Sequence, residues 1–207
     1  ELTEYSKKVG ADATLQVGPY YNKPTQEGFY QHFKAIAEEV DLPIVLYNIP
    51  SRCGAGMTPE TIARLAEIEN IVAVKEASGS LDQASEIAMR CDLTIISGDD
   101  SLTLPLASVG GKGVISVVAN IVPADVKAMT DLILEGDFAS ARQWHRKLFP
   151  LSKNMLTLAT NPIPIKAAMA ILDMCSAELR LPMTPLEQGK MPVLEQTLKD
   201  YGLLSRV

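Results

Sequence analysis

Short apolar runs alternate with amphipathic helical stretches from Gly10 to Val118. This rhythm constrains the fold more than any single residue does. The runs are Ala13–Val17, Pro43–Tyr47, Ile71–Lys75, Leu93–Ser97 and Gly113–Val118. Strands of a parallel sheet covered on both faces read as continuous Val, Ile and Leu rather than as strict alternation. Helices are expected between them, near Gln26–Val40, Thr58–Glu67, Leu81–Arg90 and Ser101–Val109. Thr58-Pro59-Glu60 offers an N-cap, a proline at the first helical position and an acid in the first turn. Ser80 and Gln83 have capping-box spacing. The apolar runs recur about every 20 to 30 residues, the step of a βα unit. Successive βα units predict a parallel α/β architecture.

After Pro123 the pattern is helical to the end, over Ala124–Glu135, Phe138–Lys153, Ile163–Leu172 and Pro192–Tyr201. The expected division is therefore residues 1–136 as sheet and covering helices, and 137–207 as a helical region. A doubly wound sheet can be built from the strands present. A (β/α)8 TIM barrel needs eight, and typically about 250 residues. The chain has 207 residues and opens Glu1-Leu-Thr-Glu-Tyr-Ser6, not on Met. Leu2, Tyr5, Ser6 and Val9 keep a helical spacing with Gly10 as C-cap, and no N-cap precedes them. A start inside a helix suggests a fragment or a processed chain. The fold expected is α/β: a (β/α)8 TIM barrel lacking its first three strands, followed by a C-terminal helical segment.

Composition narrows the function. The formal charge is −6, without a basic run, which argues against nucleic-acid binding and against a polybasic membrane anchor. There is no apolar stretch of membrane-spanning length and no signal-peptide pattern. Three widely spaced cysteines, Cys53, Cys91 and Cys175, fit a reducing, cytoplasmic compartment. Two histidines and no C-x-x-C leave little from which to build a structural zinc site.

The unusual polar residues cluster at the C-terminal ends of the expected strands, the rim on which parallel α/β folds build sites. Lys75 ends an apolar strand, where burial penalises its charged form. A lysine of depressed pKa is a nucleophile able to form a Schiff base with a carbonyl. The plainer reading is a strand-end lysine that snorkels to water. Tyr47 ends the neighbouring strand at similar height, so the two side chains can converge as nucleophile and proton relay. A tyrosine with its hydroxyl in water is the ordinary alternative. Tyr20 and Tyr21 read equally as loop aromatics, and Arg52 as a surface arginine. Asp99 and Asp100 precede a helix, where N-capping is their expected work. Gly110-Gly-Lys-Gly113 leads into a strand rather than out of one and lacks phosphate-loop spacing, so it reads as a turn. His32 and His145 have no ligand partners at useful spacing. Cys53 has no candidate histidine base nearby in sequence.

Taken in order, Gly18-Pro-Tyr-Tyr-Asn-Lys-Pro-Thr-Gln-Glu-Gly28, Tyr47-Asn-Ile-Pro-Ser-Arg-Cys-Gly54, Val74-Lys-Glu-Ala77, Ser97-Gly-Asp-Asp100, Gly113-Val-Ile-Ser-Val117, Asn161-Pro-Ile-Pro-Ile-Lys166 and Leu181-Pro-Met-Thr-Pro185 look like family blocks. Together they resemble the class I pyruvate-dependent aldolase family, on its dihydrodipicolinate synthase branch. The resemblance runs from Gly10 to Leu204.

It implies a cofactor-free lyase of lysine (diaminopimelate) biosynthesis that condenses pyruvate with aspartate β-semialdehyde. It implies Lys75 as the Schiff-base lysine, Tyr47 as the proton-relay tyrosine, and Tyr21 as a tyrosine reaching across a dimer interface. Arg52 would bind the carboxylate of the second substrate, and Ile115 would lend backbone to the pyruvate pocket. Tyr20 would belong to a lysine feedback site, and the assembly would be a homotetramer built as a dimer of dimers. The family's Gly-Thr-Thr-Gly-Glu segment, which supplies the pyruvate carboxylate site and a relay threonine, has no counterpart between Glu1 and Val207. Another pyruvate aldolase of the same family, or a non-catalytic fragment, remains the alternative; Arg52 argues against the first and intact Tyr47 and Lys75 against the second.

Overall fold

The structure is a computed structural model that describes residues 1–205. The chain forms two compact units, Glu1–Ile115 and Ser116–Val207.

The first unit opens with helix α1 (Leu2–Lys8) and is then built on one parallel sheet in consecutive strand order. Its strands are β1 (Thr14–Val17), β2 (Ile44–Asn48), β3 (Ile71–Glu76), β4 (Thr94–Ser97) and β5 (Gly113–Val114). Every neighbouring pair is parallel. Strand order that follows chain order, with no reversal, is the winding of a barrel wall and not of a doubly wound sheet. Helices α2 (Gln26–Glu39), α4 (Pro59–Ala66), α5 (Leu81–Arg90) and α6 (Thr103–Ala107) connect the strands, and the one-turn α3 (Pro50–Cys53) follows β2 directly.

Alternation along the strands sorts the side chains. Ile44, Leu46, Val74 and Ile95 face the helices and join Phe29, Phe33, Ile62, Leu65 and Ile87 in one core cluster. Burying a side chain of this size is worth about 1.5–3 kcal/mol. This layer therefore fixes which way β2 and β3 face, because a slip of one residue would turn the whole set outward. The intervening residues, Tyr47 and Lys75 among them, point to the opposite face.

The local signals account for the helix starts. Thr58 caps α4 through Thr61 N–H, and Ser80 caps α5 through Gln83 N–H at 3.2 Å. The second half of the expected capping box is missing. The Gln83 amide turns instead to Met57 O at 3.0 Å and Glu76 Oε2 at 3.3 Å. The fifth strand is shorter than its apolar run predicts. Ile115 N–H still donates to Ser97 O, but Ser116 Oγ then accepts from Ala119 N–H and starts a turn. The stretch expected as one helix from Ser101 is a 3-10 turn, Asp100–Leu102, followed by α6. The Gly110-Gly-Lys segment is a turn, with Gly110 at φ +114°.

The second unit is helical: α7 (Pro123–Glu135), α8 (Phe138–Thr157), α9 (Ile163–Ile171) and α10 (Met191–Tyr201). Gly136 ends α7 at φ +81° and Asp137 caps α8 through Ser140 N–H. Asp125 accepts from both Lys147 and Tyr201, joining α7, α8 and α10. Among the described residues no helix is long and apolar enough to cross a membrane.

Candidate active site

Tyr47 and Lys75 are Cα partners in the β2–β3 ladder. Side chains of paired residues on one face stand about 5 Å apart at Cβ. Here the Lys75 ammonium lies 4.0 Å from the centroid of the Tyr47 ring, a cation–π distance. Lys75 is 8% exposed, so it does not snorkel to water.

The electrostatics follow from that burial. Desolvation pulls the Lys75 pKa below its ordinary value; the Asp100 carboxylate acts in the opposite direction, and the Arg52 guanidinium adds to the lowering. Desolvation raises the Tyr47 pKa, offset in part by Arg52. The phenol therefore stays protonated at neutral pH while the amine loses its proton more readily than a surface lysine. One group can attack a carbonyl, and the other can donate and accept a proton beside it.

Arg52 sits on α3, in a turn that Gly54 ends at φ +75°. Its side chain is exposed, yet its charge is felt by both Tyr47 and Lys75. Its helix follows directly on the C-terminal end of β2, the end that carries Tyr47. Cys53, beside it, is buried and donates to Gly18 O at 3.3 Å. Burial pushes this thiol's pKa up, which makes it a poor nucleophile.

Backbone geometry completes the rim. Beyond the strands, Gly18 N–H bonds Tyr47 O, Ala77 N–H bonds Asn48 O, and Gly98 N–H bonds Glu76 O. Gly98 passes against Lys75 with no room for a side chain. A Cβ there would stand 2.5 Å from Ala77 Cβ and 3.2 Å from Lys75 Cε. Ile115 continues the phase of Gly113, which pairs with Ile96, itself the partner of Lys75, so it lies on the Lys75 face.

The structure thus gathers Lys75, Tyr47, Arg52 and Ile115 at one rim. Tyr20 and Tyr21 lie in the segment between β1 and α2 and are 68% and 94% exposed. Tyr21 holds φ +68°, an uncommon conformation for a residue with a side chain.

Two features escaped the sequence reading. The adjacent acids divide their work: Asp99 caps, accepting from Ser101 N–H at 2.9 Å, while Asp100 is buried and acts on Lys75. Glu76, next to Lys75, is buried on the helix-facing side and hydrogen-bonded to Asn48. A carboxylate at the end of an apolar strand was the available signal. Among the described residues no group of three or more His, Cys, Asp or Glu side chains is placed to hold a metal ion.

The chain is similar to known proteins over nearly its whole length. The 4-hydroxy-tetrahydrodipicolinate synthase of Geotalea uraniireducens is 51% identical over 206 residues, which is 99% of this chain and 71% of that protein. The crystal structure of dihydrodipicolinate synthase from Aquifex aeolicus superposes with a TM-score of 0.95 at 49% identity, over 98% of this chain and 70% of that one. The enzyme from Cyanidioschyzon merolae, solved with lysine bound, gives 0.93 at 43% identity over 98% and 69%. The Dihydrodipicolinate synthetase family matches residues 1–201, and the chain belongs to that family.

Proposed function

We propose that this protein is a Schiff-base lyase that condenses pyruvate with aspartate β-semialdehyde to 4-hydroxy-tetrahydrodipicolinate, in lysine (diaminopimelate) biosynthesis. The observation that carries the reading is the buried Lys75 amine held against the face of Tyr47 on paired strands. In the chemistry proposed, the neutral amine adds to the ketone carbon of pyruvate and water leaves. The resulting iminium draws electrons from the methyl group, which loses a proton to become an enamine. The enamine carbon then bonds to the aldehyde carbon of the second substrate, whose oxygen takes a proton. The semialdehyde's amino group attacks the regenerated iminium carbon, closing the ring and releasing the Lys75 amine. Lys75 is itself the electron sink, so no metal or organic cofactor enters the scheme.

Tyr47 is assigned to proton transfer, because its phenol stays protonated and lies beside the amine. Arg52, exposed on the helix that follows β2, is assigned to the carboxylate of the semialdehyde, which a guanidinium can grip with two parallel bonds. Ile115 is assigned to the pyruvate pocket through its backbone. Tyr21 is assigned to a neighbouring subunit's site, and its near-complete exposure supports a residue that packs on something outside its own chain. On this reading the active form is a homo-oligomer, a dimer of dimers, in the cytoplasm. Tyr20 belongs to a site for lysine as inhibitor, in keeping with the lysine-bound structure of a relative.

The competing reading is another pyruvate aldolase, and a panel of aldehydes separates the two. Arg52→Ala should still form the pyruvate imine but raise KM for aspartate semialdehyde. A charge-assisted hydrogen bond is worth about 1.5–3 kcal/mol, or roughly 10- to 150-fold. A small aldehyde without a carboxylate should be little affected. Turnover of a sugar-acid aldehyde in preference to aspartate semialdehyde, or equal losses for both aldehydes in the variant, overturns the assignment.

A further inference from the structure

We infer that Glu76 is a positioning residue for the second substrate: its buried carboxylate orients two amides that clamp the Met57 backbone, and so holds the turn that carries Arg52. The inference rests on the reading of Arg52 given above.

Glu76 and Lys75 are consecutive on β3 and point to opposite faces. Lys75 faces the site, and Glu76, 3% exposed, faces the helices. Three donors surround its carboxylate. Ser78 N–H donates to Oε1 at 2.6 Å, and Asn48 Nδ2 and Gln83 Nε2 donate to Oε2 at 3.0 and 3.3 Å. A carboxylate accepts at every lone pair, so it demands the nitrogen end of each amide. That choice fixes what the other atoms do.

With Nδ2 committed to Glu76, Asn48 turns Oδ1 to the Met57 N–H, at 3.0 Å. The amides also reach the carbonyl of the same residue, in the next peptide. Gln83 Nε2 donates to Met57 O at 3.0 Å, and Asn48 Nδ2 makes a longer contact to it at 3.4 Å. The backbone of Met57 is thus held at both its N–H and its C=O, with Met57 2% exposed in the core. Asn48 is the last residue of β2, so the chain from Asn48 to Met57 is a loop pinned where it closes. Arg52 sits at its outer turn. Gly56 lies close to the clamp, where a Cβ would stand 3.1 Å from Asn48 Oδ1.

Glu76→Gln tests the logic at constant shape. One carboxylate oxygen becomes an NH2 group facing donors. The new NH2 group faces the Ser78 N–H or the two amides, or else Asn48 flips and presents Nδ2 to the Met57 N–H. Each arrangement leaves a buried donor without an acceptor, and in each the two amides lose the carboxylate charge that held them. The loop loosens, while Lys75, on the other face of β3, keeps its place.

In the purified enzyme, Glu76→Gln is expected to raise KM for aspartate semialdehyde by about tenfold, the equivalent of one hydrogen bond. The borohydride-trapped pyruvate adduct at Lys75 and turnover of a carboxylate-free aldehyde should stay near the parent values. In an Arg52→Ala background the same change should add no further loss. Hydrogen exchange at the Met57 amide should speed up in the variant. Gln83→Met, at a partly exposed position on α5, should show the same pattern more weakly and guards against a misfolded Glu76 variant.

Equal loss for both aldehydes, loss of the trapped adduct, or unchanged Met57 protection overturns the inference. So does an Arg52→Ala effect with none from Glu76→Gln, which leaves the reading of Arg52 standing. An Arg52→Ala variant without any selectivity effect overturns the reading of Arg52, and the claim on Glu76 with it.

Discussion

Replacing Tyr47 by Phe separates what its ring does from what its hydroxyl does. The ring lies 4.0 Å from the Lys75 ammonium and supports it by a cation–π contact, worth about 0.5–2 kcal/mol. Phe keeps that face and the ring's volume, so packing and the position of Lys75 should survive. Only the hydroxyl, the proposed proton carrier, is removed. A positioned proton-transfer group contributes on the order of 10²–10⁴ in rate, or about 2.7–5.5 kcal/mol in the barrier. We expect kcat to fall by that factor, with the yield of borohydride-trapped pyruvate adduct unchanged within about threefold.

Tyr47→Leu is the companion variant. It removes the ring as well, so the Lys75 pKa should drop further and trapping should reach its plateau at lower pH than in Phe. Steady-state kinetics read the first effect, and trapping yield by intact mass reads the second. An unchanged kcat in Tyr47→Phe would show that the hydroxyl is not the proton carrier. Equal collapse of trapping and turnover in Tyr47→Phe would show that the hydroxyl positions Lys75 instead.

Two other outcomes follow from the same geometry. The rate of imine trapping should rise with pH and level off below the ordinary lysine value of about 10.4, because the free amine reacts and burial lowers its pKa; Asp100→Asn should move that midpoint down and Arg52→Ala should move it up, and a midpoint at or above the ordinary value refutes the burial argument. Gly98→Ala should cost about 1–3 kcal/mol in urea unfolding and depress trapping at Lys75, since its Cβ meets Ala77 and Lys75 Cε; parent-like stability and trapping would show that the rim yields at this point.

The rim was legible because strand ends are marked by a change in chemistry. The apolar runs before Tyr47 and Lys75 locate β2 and β3 to within a residue, and consecutive parallel pairing then sets the two side chains side by side. The N-cap threonine of α4 was equally plain. What stayed hidden depends on partners distant in sequence or on a single hydroxyl. Ser116 starts its turn inside a β-branched run, and apolar patterning carries no trace of that. Gln83 has the spacing of a capping box, but a buried carboxylate on β3 competes for its amide and prevails. Asp99 and Asp100 are the same residue type in adjacent positions; only the fold makes one a cap and buries the other. Arg52 reads as a loop residue, although a one-turn helix ended by Gly54 presents it.

The central claim is that Lys75 is the nucleophile. Incubation with pyruvate, reduction with borohydride and peptide mapping test it directly. The account predicts one pyruvate-derived adduct, on the peptide containing Lys75, abolished in Lys75→Ala and reduced by competing aspartate semialdehyde. An adduct on a different lysine, or none from the enzyme under conditions in which it turns over, would contradict it.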